Sequence, residues 1–404
     1  MLKLKLHWQI LIALIIGIIY GLSIPEYYEY VAWMGDLFLR ALKMVIVPLI
    51  LSSIISGVTN IGNASSLGRL GAKTMIYYMS TSLFAIVTGL FFVNILKPGI
   101  GADLGLSQQV EGLDIAQDSF GDTLLKIIPD NVFTSFTNGD MLSIIFFALL
   151  FGYFITRVEE KYQSLLTDFF SSTFEVMMKI TMFIIKFTPL GILGIVAKQV
   201  ATTHNLIEVA ASLGVYMVAV LLALSIHSMV TLPMIVKIFG RVKPFEHFKA
   251  MTTPLLTAFS TSSSNATLPL TMEAVEHNSG VSNKVTSFTL PLGATINMDG
   301  TALYECVAVM FIAQAYGFDL TILQQVIVVI TALLASIGAA GIPMAGLVMM
   351  AVVLSAVGLP LEGIGMILAV DRILDMFRTT VNVWSDSCGA VVIAKTEGET
   401  LNIE

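Results

Sequence analysis

The sequence predicts an all-α integral membrane protein, and three observations support that prediction. Hydrophobic residues fill 56% of the 404 positions, and charged residues fill only 12%. Soluble domains carry about 25% charged residues, so the chain has roughly half the charge that a water-facing surface requires. Apolar segments of about 20 residues, long enough to span a bilayer, recur along the chain. The composition excludes a disordered chain and a soluble enzyme, and a net charge of −7 offers no basic surface to nucleic acid.

The apolar segments are of two kinds. Two of them, 246–276 and 322–357, are interrupted near their centres by small polar residues and by Pro or Gly, and we predict re-entrant hairpins there. A signal peptide is a second interpretation of the N-terminus, but no small-residue cleavage site follows it. The uninterrupted segments predict eight transmembrane helices, near 8–24, 34–58, 74–96, 138–157, 168–197, 206–236, 283–316 and 361–394.

Charged loops predict the orientation. Lys and Arg concentrate in cytoplasmic loops, so Lys3 and Lys5 place the N-terminus in the cytoplasm. Alternation then puts the basic loops after the second, fourth and sixth helices inside, and the acidic 100–130 stretch outside. This agreement requires that each hairpin enters and leaves on one side. Both termini are therefore predicted to be cytoplasmic in a multi-pass protein of the cell membrane.

The last predicted helix carries a polar stripe. Asp371, Asp375, Arg378, Asn382 and Asp386 follow one another at intervals of three or four residues, which places them on one helix face over about 22 Å. One charge at mid-membrane costs about 2.5–3.5 kcal/mol even on the mildest scale. The stripe therefore needs mutual pairing, an aqueous cavity or ligands. A set of internal salt bridges is the alternative that involves no ligand.

The seventh predicted helix is interrupted. Pro291, Gly293 and Gly300 disfavour a continuous helix, which places Asn297 and Asp299 beside unwound backbone at membrane depth. Irregular backbone is tolerated there only where it is buried or lines a cavity. Hard cations prefer carboxylate, amide and carbonyl oxygens, so we predict an ion site. A simple Pro/Gly kink with locally satisfied polar groups is the alternative.

Each predicted hairpin has a tip of small residues. The first tip is Ser260-Thr-Ser-Ser-Ser-Asn-Ala-Thr-Leu-Pro269, and the second is Ser336-Ile-Gly-Ala-Ala-Gly-Ile-Pro-Met-Ala-Gly346. A half-helix that begins inside the membrane presents free N–H groups and a positive dipole end, which suit an anion. The two tips are therefore predicted to contribute to an anion site.

Four ordered motifs resemble the excitatory amino acid transporter family, the dicarboxylate/amino acid:cation symporters. They are Thr261-Ser-Ser-Ser-Asn-Ala-Thr-Leu-Pro269, Asn297-Met-Asp-Gly-Thr301, Gly341-Ile-Pro-Met-Ala-Gly346 and Asp375-Met-Phe-Arg-Thr-Thr-Val-Asn382. The resemblance covers essentially the whole chain. Paired interrupted segments are also typical of transporter substrate sites, and members of this family are among the known examples.

The resemblance implies a homotrimeric elevator transporter with inverted repeats. Residues 1–70 and 128–205, with helices 1, 2, 4 and 5, would form the trimerisation scaffold. Residues 71–100 and 206–396, with helices 3, 6, 7 and 8 and both hairpins, would form the moving transport domain, and 101–127 an extracellular loop.

The resemblance also assigns binding residues. Arg378 matches the partner of the substrate side-chain carboxylate, and Asp375 the acceptor of its ammonium group. Thr379 and Asn382 match polar contacts to L-aspartate or L-glutamate, and the pocket is completed by Ser263, Ser264, Thr301, Ile342 and Gly346. These roles agree with the chemistry, because a guanidinium binds a carboxylate bidentately and a carboxylate accepts from an ammonium.

Three sodium sites are implied in the same way, with sodium transported and not catalytic. One site would use Gly293, Asn297, Asn382 and Asp386. A second would use Tyr78, Thr81, Ser82, Asn297 and Asp299. A third would form from Thr295, Met298, Ser336, Ile337 and Ala339 as the second hairpin closes.

The chain departs from the family pattern at several positions. Ser262 stands where some members carry arginine, and Arg372 on the last helix is a candidate substitute. Asn265 replaces the third serine of the first tip, and Ala339 replaces a threonine. Glu305 occupies the position of a proton-binding glutamate in animal members, which makes it a possible proton site. A neutral, hydrogen-bonded glutamate that never titrates is the alternative.

Sodium-coupled uptake of aspartate or glutamate is the leading hypothesis. Proton-coupled uptake of a C4-dicarboxylate or of glutamate is the second, although a dicarboxylate has no ammonium for Asp375. An anion channel would explain a polar pathway but not two occluding hairpins. An intramembrane hydrolase would need a base beside the Ser262–Ser264 run, and none is nearby, so the protein is predicted not to be an enzyme.

Overall fold

The protein is built from helices throughout the residues that the computed structural model describes, namely 6–63, 69–101, 128–202, 206–337 and 345–403. No residue in these ranges forms a β-strand. The first group of helices is α1 (Leu6–Ser23), α2 (Glu29–Asn63), α3 (Arg69–Leu96), α4 (Val132–Asn138), α5 (Met141–Ile155), α6 (Glu160–Ile185), α7 (Thr188–Thr202) and α8 (Leu206–Ile226). The remainder are α9 (Leu232–Ile235), α10 (Pro244–Ala250), α11 (Thr252–Thr261), α12 (Ser264–Glu273), α13 (Asn283–Ile296), α14 (Asp299–Ala315), α15 (Ile322–Ile337), α16 (Ala345–Ala356) and α17 (Ile364–Thr396).

Four stretches of helix are long and apolar enough to cross a membrane, among the described residues. They are Glu29–Thr59, Arg69–Leu96, Ile207–Gly240 and Asn283–Ala315. The pair α6 and α7, bent by 53°, is a possible fifth. Helices overlap all eight predicted spans, but α5 is short and α17 carries the polar stripe. The protein is therefore multi-pass, and the count of eight spans stays a prediction.

Both predicted hairpins begin and end as helices that pack against each other. In the first, α11 contacts α12, and the chain reverses at Ser262, which adopts a left-handed conformation with φ of 52°. Ser263 then caps α12, because its side chain accepts from the N–H of Ala266 at 3.2 Å. In the second hairpin, α15 contacts α16. Its tip, with Ala339 and Ile342, lies outside the described residues.

The helices pack as two groups. In one group, α2 lies at the centre and contacts α5, α6 and α7, and α1 contacts α7. In the other, α14 and α17 lie at the centre and are surrounded by α3, α8, α11, α13, α15 and α16. The groups meet where α2 contacts α15 and α16. Residues Asp299 to Ala313 of α14 are all buried, as expected of a helix at the centre of a group.

The predicted interruption of the seventh helix is present, two residues long. Asn297 and Met298 separate α13 from α14 and lie outside helical geometry, with φ and ψ of −93° and 79° at Asn297. Pro291 lies inside α13 and does not end it. Gly300 permits the close approach of α14 to α17, because a Cβ atom there would lie 2.6 Å from the carbonyl oxygen of Arg378.

The end of α17 is tied to the start of α3. Arg69 donates from Nε and Nη2 to the two carboxylate oxygens of Glu397, at 3.1 and 2.8 Å. Lys73 Nζ donates to the same carboxylate at 2.6 Å and to the carbonyl of Thr396 at 2.7 Å. These hydrogen bonds, first from Arg69 and then from Lys73, lower the pKa of Glu397 to about 2. The bridge holds the two helices together at this end of the bundle.

Candidate substrate and ion site

The predicted polar stripe lies on one helix, α17, and is buried. Asp371, Asp375, Arg378, Asn382 and Asp386 are each at most 5% exposed. Their intervals of three and four residues place them on the same face, which α13 and α14 cover. The seventh and eighth predicted segments therefore meet along the stripe.

Arg378 lies at the centre of a charged cluster. Its Nη2 donates to Asp375 Oδ1 at 2.7 Å and lies 3.3 Å from Asp371 Oδ1. The guanidinium carbon lies 3.8 Å from the ring centroid of Tyr304, whose hydroxyl donates to Asp371 Oδ1 at 2.7 Å. Arg372 Nη1 lies 3.6 Å from the second oxygen of Asp375. Asp375 is thus flanked by two guanidinium groups.

Two nitrogen atoms of the Arg378 guanidinium have no protein partner. Among the described residues, Nε and Nη1 of Arg378 donate no hydrogen bond, although the side chain is only 1% exposed. A Cβ atom at Gly346, the second residue of α16, would lie 2.9 Å from Nη1. Nη1 therefore faces the second hairpin. Buried donors normally have partners, so Nη1 is suited to an anionic ligand.

Asn382 connects the stripe to the interrupted helix. Its Oδ1 accepts from the N–H of Gly300 at 2.7 Å, and its Nδ2 donates to Thr301 Oγ1 at 3.1 Å and to Met298 Sδ at 3.3 Å. The side chain therefore holds the start of α14 against α17. Thr301 and Asn382, both predicted to contact substrate, are in direct contact with each other.

The predicted second ion site is a set of buried hydroxyl groups around Asp299. Ser82 Oγ donates to Asp299 Oδ1 at 2.6 Å, and Thr81 Oγ1 lies 3.3 Å from the same oxygen. Thr81 also donates to Asn297 Oδ1 at 3.3 Å. Tyr78 lies slightly apart, because its hydroxyl donates to the carbonyl of Thr289 at 2.8 Å. Four of the five predicted ligands are thus joined by hydrogen bonds.

The predicted first ion site adjoins the second through Asn297. Its Nδ2 donates to Asp386 Oδ1 at 2.9 Å. A Cβ atom at Gly293 would lie 2.6 Å from Asp386 Oδ1 and 2.7 Å from the Tyr78 hydroxyl oxygen. Only glycine leaves room for this approach of α13 to α17 and α3. The structure thus brings Asn297, Gly293 and Asp386 together, with the amide nitrogen of Asn297 towards the carboxylate. Asn382, the fourth predicted ligand, makes its hydrogen bonds to α14 instead.

The predicted third ion site is less assembled. Thr295 and Ile337 line one cavity between the two helix groups, but the Thr295 hydroxyl donates to the carbonyl of Leu292 at 3.0 Å. Ser336 Oγ likewise donates within its own helix, to Leu333 at 2.8 Å. Met298 Sδ accepts from Asn382, and Ala339 lies outside the described residues.

The remaining predicted substrate contacts that the structure describes are buried. Ser263 and Ser264 are 8% and 3% exposed, at the reversal of the first hairpin. Thr379 is 5% exposed and follows Arg378 on α17. Ile342 lies outside the described residues. α12 and α17 are in contact, so the first hairpin packs against the helix that carries the stripe.

Buried acidic groups outnumber buried basic side chains. Five acidic side chains are buried, namely Asp299, Glu305, Asp371, Asp375 and Asp386. Among the described residues, Arg378 is the only Lys or Arg whose side chain is buried. Asp299 and Asp386 share Asn297 as a neighbour. Burial of an uncompensated charge is costly, so these carboxyl groups must be protonated, hydrogen-bonded or paired with cations.

Three partners were not predicted from the sequence. His227 Nε2 lies 2.9 Å from Asp299 Oδ2, with both side chains fully buried. Ser385 Oγ donates to the same oxygen at 2.6 Å, and Tyr304 binds Asp371. A lone histidine inside an apolar span is itself a signal of function, so His227 could have been found. Ser385 and Tyr304 carry no such signal.

Comparison with known proteins identifies the family. The family model "Sodium:dicarboxylate symporter family" matches residues 6–396. The chain belongs to the sodium:dicarboxylate symporter family. It is 37% identical over 407 residues to the "Proton/sodium-glutamate symport protein" of Geobacillus stearothermophilus, covering 98% of this chain and 96% of that protein. The human "Excitatory amino acid transporter 3" is 38% identical, covering 97% and 86%. The "Proton/glutamate-aspartate symporter" of Escherichia coli (strain K12) is 34% identical, covering 98% and 93%.

Family membership confirms the predicted resemblance and the predicted class. The protein is a multi-pass membrane symporter and not an enzyme. The polar groups buried in α17 are the candidate transport site, and the roles of its individual side chains stay predictions.

Proposed function

We propose that this symporter couples uptake of an acidic amino acid, aspartate or glutamate, to the inward sodium gradient. The observation that carries the proposal is the charge imbalance of the buried site, where the four aspartates Asp299, Asp371, Asp375 and Asp386 are buried with one arginine, Arg378, among the described residues. Adding the anionic substrate alone increases the imbalance. Binding of several cations together with the substrate removes it, which is the thermodynamic basis of obligatory symport.

Arg378 binds the side-chain carboxylate of the substrate through Nη1 and Nη2. Nη1 has no partner among the described residues, and once Asp375 releases Nη2 the two nitrogens form an edge that can donate to one carboxylate. Asp375 accepts from the substrate ammonium after releasing Arg378. Thr379 and Asn382, with Ser263, Ser264 and Thr301, contact the remaining polar groups. Gly346 of the second hairpin, beside Nη1 of Arg378, borders the pocket.

Asp299 and Asp386 each supply one full charge to a sodium site. The Ser82 hydroxyl donates to Asp299 in this structure, and Thr81 Oγ1 lies 3.3 Å from the same carboxylate oxygen. On sodium binding both hydroxyl groups rotate to present lone pairs. Asn297 lies between both carboxylates. Within the described residues no three His, Cys, Asp or Glu side chains cluster as a metal site. This ligand set suits monovalent sodium better than a transition metal.

The two helix groups correspond to a scaffold and a moving domain. The group of α1, α2, α5, α6 and α7 would form a homotrimer, and the group around α14 and α17 would carry substrate across the bilayer. The packing of each group mainly against itself supports relative movement. We further propose eight spans, two re-entrant hairpins and cytoplasmic termini.

Proton coupling is a second candidate, favoured by Glu305. Its side chain is fully buried, and neither carboxylate oxygen has a hydrogen-bond partner in the described part of the chain. Such a group is stable in its neutral form. The names of the Geobacillus and Escherichia coli relatives describe symport with protons. Protons could therefore accompany sodium or replace it.

Uptake into proteoliposomes separates these functions. Radiolabelled aspartate is supplied with an inward sodium gradient, with choline in place of sodium, and with an inward proton gradient alone. Sodium coupling requires accumulation only in the first condition. Equal uptake in choline and sodium contradicts it, and accumulation with protons alone supports the second candidate. Succinate competition tests the C4-dicarboxylate alternative.

A further inference from the structure

A groove with a volume of about 600 Å³ lies between α8, the α10–α11 segment and α17. Its lining is mainly apolar and includes Met229, Phe245, Phe248, Phe377 and Trp384. Met229 and Phe245 are 75% and 66% exposed. The groove therefore opens to the surroundings of the protein and is separate from the buried carboxylates.

The floor of the groove is held in a fixed geometry. The helix that continues α8 widens into π turns at His227–Thr231 and Val236–Gly240, and π turns often mark functional sites. Trp384 Nε1 donates to the carbonyl of Ser228 at 3.0 Å across the groove floor. Phe248 packs edge-on against Trp384, with centroids 5.6 Å apart. The concave shape is thus built from mutually supporting contacts.

Basic side chains cluster in the segment that joins α8 to α11, at one end of the groove. Lys237, Arg241, Lys243 and Lys249 are all exposed. Lys249 pairs with Glu246 at 3.1 Å. Lys237 and Arg241 form no ion pair with any described residue. Lys249 Nζ lies 4.7 Å from the ring centroid of the lining residue Phe245, and Lys237 follows the lining residue Pro233 by about one helical turn. The segment therefore brings positive charge to the edge of the apolar groove.

We propose that the groove is a binding site for an anionic phospholipid. One acyl chain lies along the phenylalanine and tryptophan side chains, and the phosphate of the headgroup binds at Lys237 and Arg241. The volume falls within the range of pockets that hold a ligand, and basic clusters beside membrane helices attract anionic lipids. A zwitterionic lipid fills the same apolar groove but lacks the net charge.

The lipid would contact the helix that carries the transport site. Phe377 and Trp384 face the groove, while the neighbouring Arg378 and Asn382 point into the buried cluster. Occupancy therefore stabilises α17 from the side opposite the substrate. The proposal does not depend on which substrate or ion is transported.

Native mass spectrometry of the detergent-purified full chain tests the proposal. Phosphatidylglycerol and phosphatidylcholine with identical acyl chains are titrated separately, and thermal unfolding is measured with each. The charge variant combines Lys237→Gln with Arg241→Asn, because Asn tolerates the left-handed φ of 51° at this position. Ser225→Phe fills the groove from an exposed lining position. Arg157→Gln with Lys161→Gln removes two exposed charges elsewhere as the matched control.

We expect phosphatidylglycerol to bind the unmodified protein more tightly than phosphatidylcholine. Each basic side chain contributes roughly fivefold in affinity, so the charge variant should bind phosphatidylglycerol about 25-fold more weakly, and the control should be unchanged. The Ser225→Phe variant should retain neither phosphatidylglycerol nor phosphatidylcholine, because the added ring fills the groove. Equal binding of the two lipids, an unaffected charge variant, an unaffected Ser225→Phe variant, or a retained polypeptide in place of lipid would each overturn the proposal.

Discussion

Arg378 and Asp375, three residues apart on α17, form a buried ion pair in which Nη2 lies 2.7 Å from Oδ1. These are the two residues proposed to bind the opposite charges of an amino acid. The pair therefore stabilises both groups when no substrate is bound. Substrate binding exchanges one internal ion pair for two external ones, one to each residue.

Replacement of Arg378 by Cys should shift specificity away from acidic substrates. Loss of one partner from a buried charge pair costs about 2–5 kcal/mol, so aspartate affinity should fall roughly 30- to 4,000-fold. Neutral amino acids such as serine should gain relative to aspartate, because their side chains need no cation. Competition against radiolabelled uptake measures both effects.

The control for this variant is Arg157→Cys, which removes an exposed arginine far from α17. It should leave both affinities unchanged. Because Arg378 is buried, thermal unfolding of the variant with serine and sodium checks that the protein is folded. An Arg378→Cys protein that is stabilised by serine and still binds aspartate with unmodified affinity would contradict the assignment.

Replacement of Asp386 by Asn should raise the sodium concentration needed for substrate binding. The shape of the side chain is retained, but a full charge next to Asn297 and Gly293 is lost. Interactions with charged groups contribute about 1.5–3 kcal/mol, so the midpoint for sodium should rise at least about tenfold. Asp319→Asn, at an exposed position after α14, is the control and should leave the sodium midpoint unchanged. An unchanged midpoint in Asp386→Asn would show that Asp386 is not a ligand of the ion site.

Replacement of Gly300 by Ala should separate α14 from α17. The added Cβ would lie 2.6 Å from the carbonyl oxygen of Arg378, and overpacking of this kind typically costs about 1–3 kcal/mol. We expect a lower unfolding temperature and weaker substrate binding, because Asn382 would lose its contact with the Gly300 N–H. Gly214→Ala in α8 is the matched control, since no atom lies within 4 Å of its added Cβ. Equal stability of the two variants would show that the contact can relax.

The sequence predicts features of the site that depend on one helix and fails at features that depend on packing between helices. The stripe on α17 follows from helical periodicity, and the break at Asn297 follows from a local concentration of Gly, Pro and polar residues. His227, Tyr304 and Ser385 join the carboxylates only because α8, α14 and α17 are packed together. No local pattern encodes which apolar segment faces which.

The count of membrane spans shows a different limit. Helices occupy every predicted segment, but hydropathy cannot distinguish a span from a short or bent helix that other helices surround. The α6–α7 helix pair bends by 53° at exposed residues, whereas the polar face of α17 is possible because neighbouring helices bury it. Segment length and hydropathy therefore predict eight similar spans, whereas the observed helices differ in length, bending and burial.

The bridge from Arg69 to Glu397 should make a pH-dependent contribution to stability. The pKa of Glu397 is lowered to about 2 by its hydrogen bonds with Arg69 and Lys73, so its contribution is present in full above the unfolded pKa of about 4.3. This contribution to stability decreases as the pH falls from about 4.3 toward about 2, because over that range the unfolded chain binds a proton at Glu397 and the folded protein does not. The unfolding temperatures of the unmodified protein and Glu397→Gln should differ by a constant small amount from pH 5.5 to 8. The difference should shrink below pH 4.5.

Glu276→Gln changes a partly exposed glutamate in the π turn Ala274–Asn278 and serves as the control for that measurement. Glu276 accepts a hydrogen bond from Asn283 and forms no ion pair with a described residue, so its difference from the unmodified protein should not vary with pH in the same way. A Glu397→Gln difference that grows as the pH falls would contradict the predicted sign.

Glu305 should carry a proton together with the substrate if the second candidate mode of coupling operates alongside sodium. Its carboxyl group is buried on α14, four residues after Thr301, without a hydrogen-bond partner among the described residues. The neutral form is therefore favoured inside the protein, and a proton loaded outside is released only when the site opens to the other side. Sodium-driven aspartate uptake should then acidify the lumen of vesicles that contain a trapped pH dye.

Glu305→Gln retains the neutral shape and cannot release a proton. It should abolish acidification while aspartate exchange across the membrane continues, because exchange requires no net proton movement. Glu160→Gln, at an exposed position at the start of α6, should leave acidification intact. If the unmodified protein accumulates aspartate with sodium and the lumen does not acidify, Glu305 is a structural residue whose neutral carboxyl group fills the space between α14 and its neighbours.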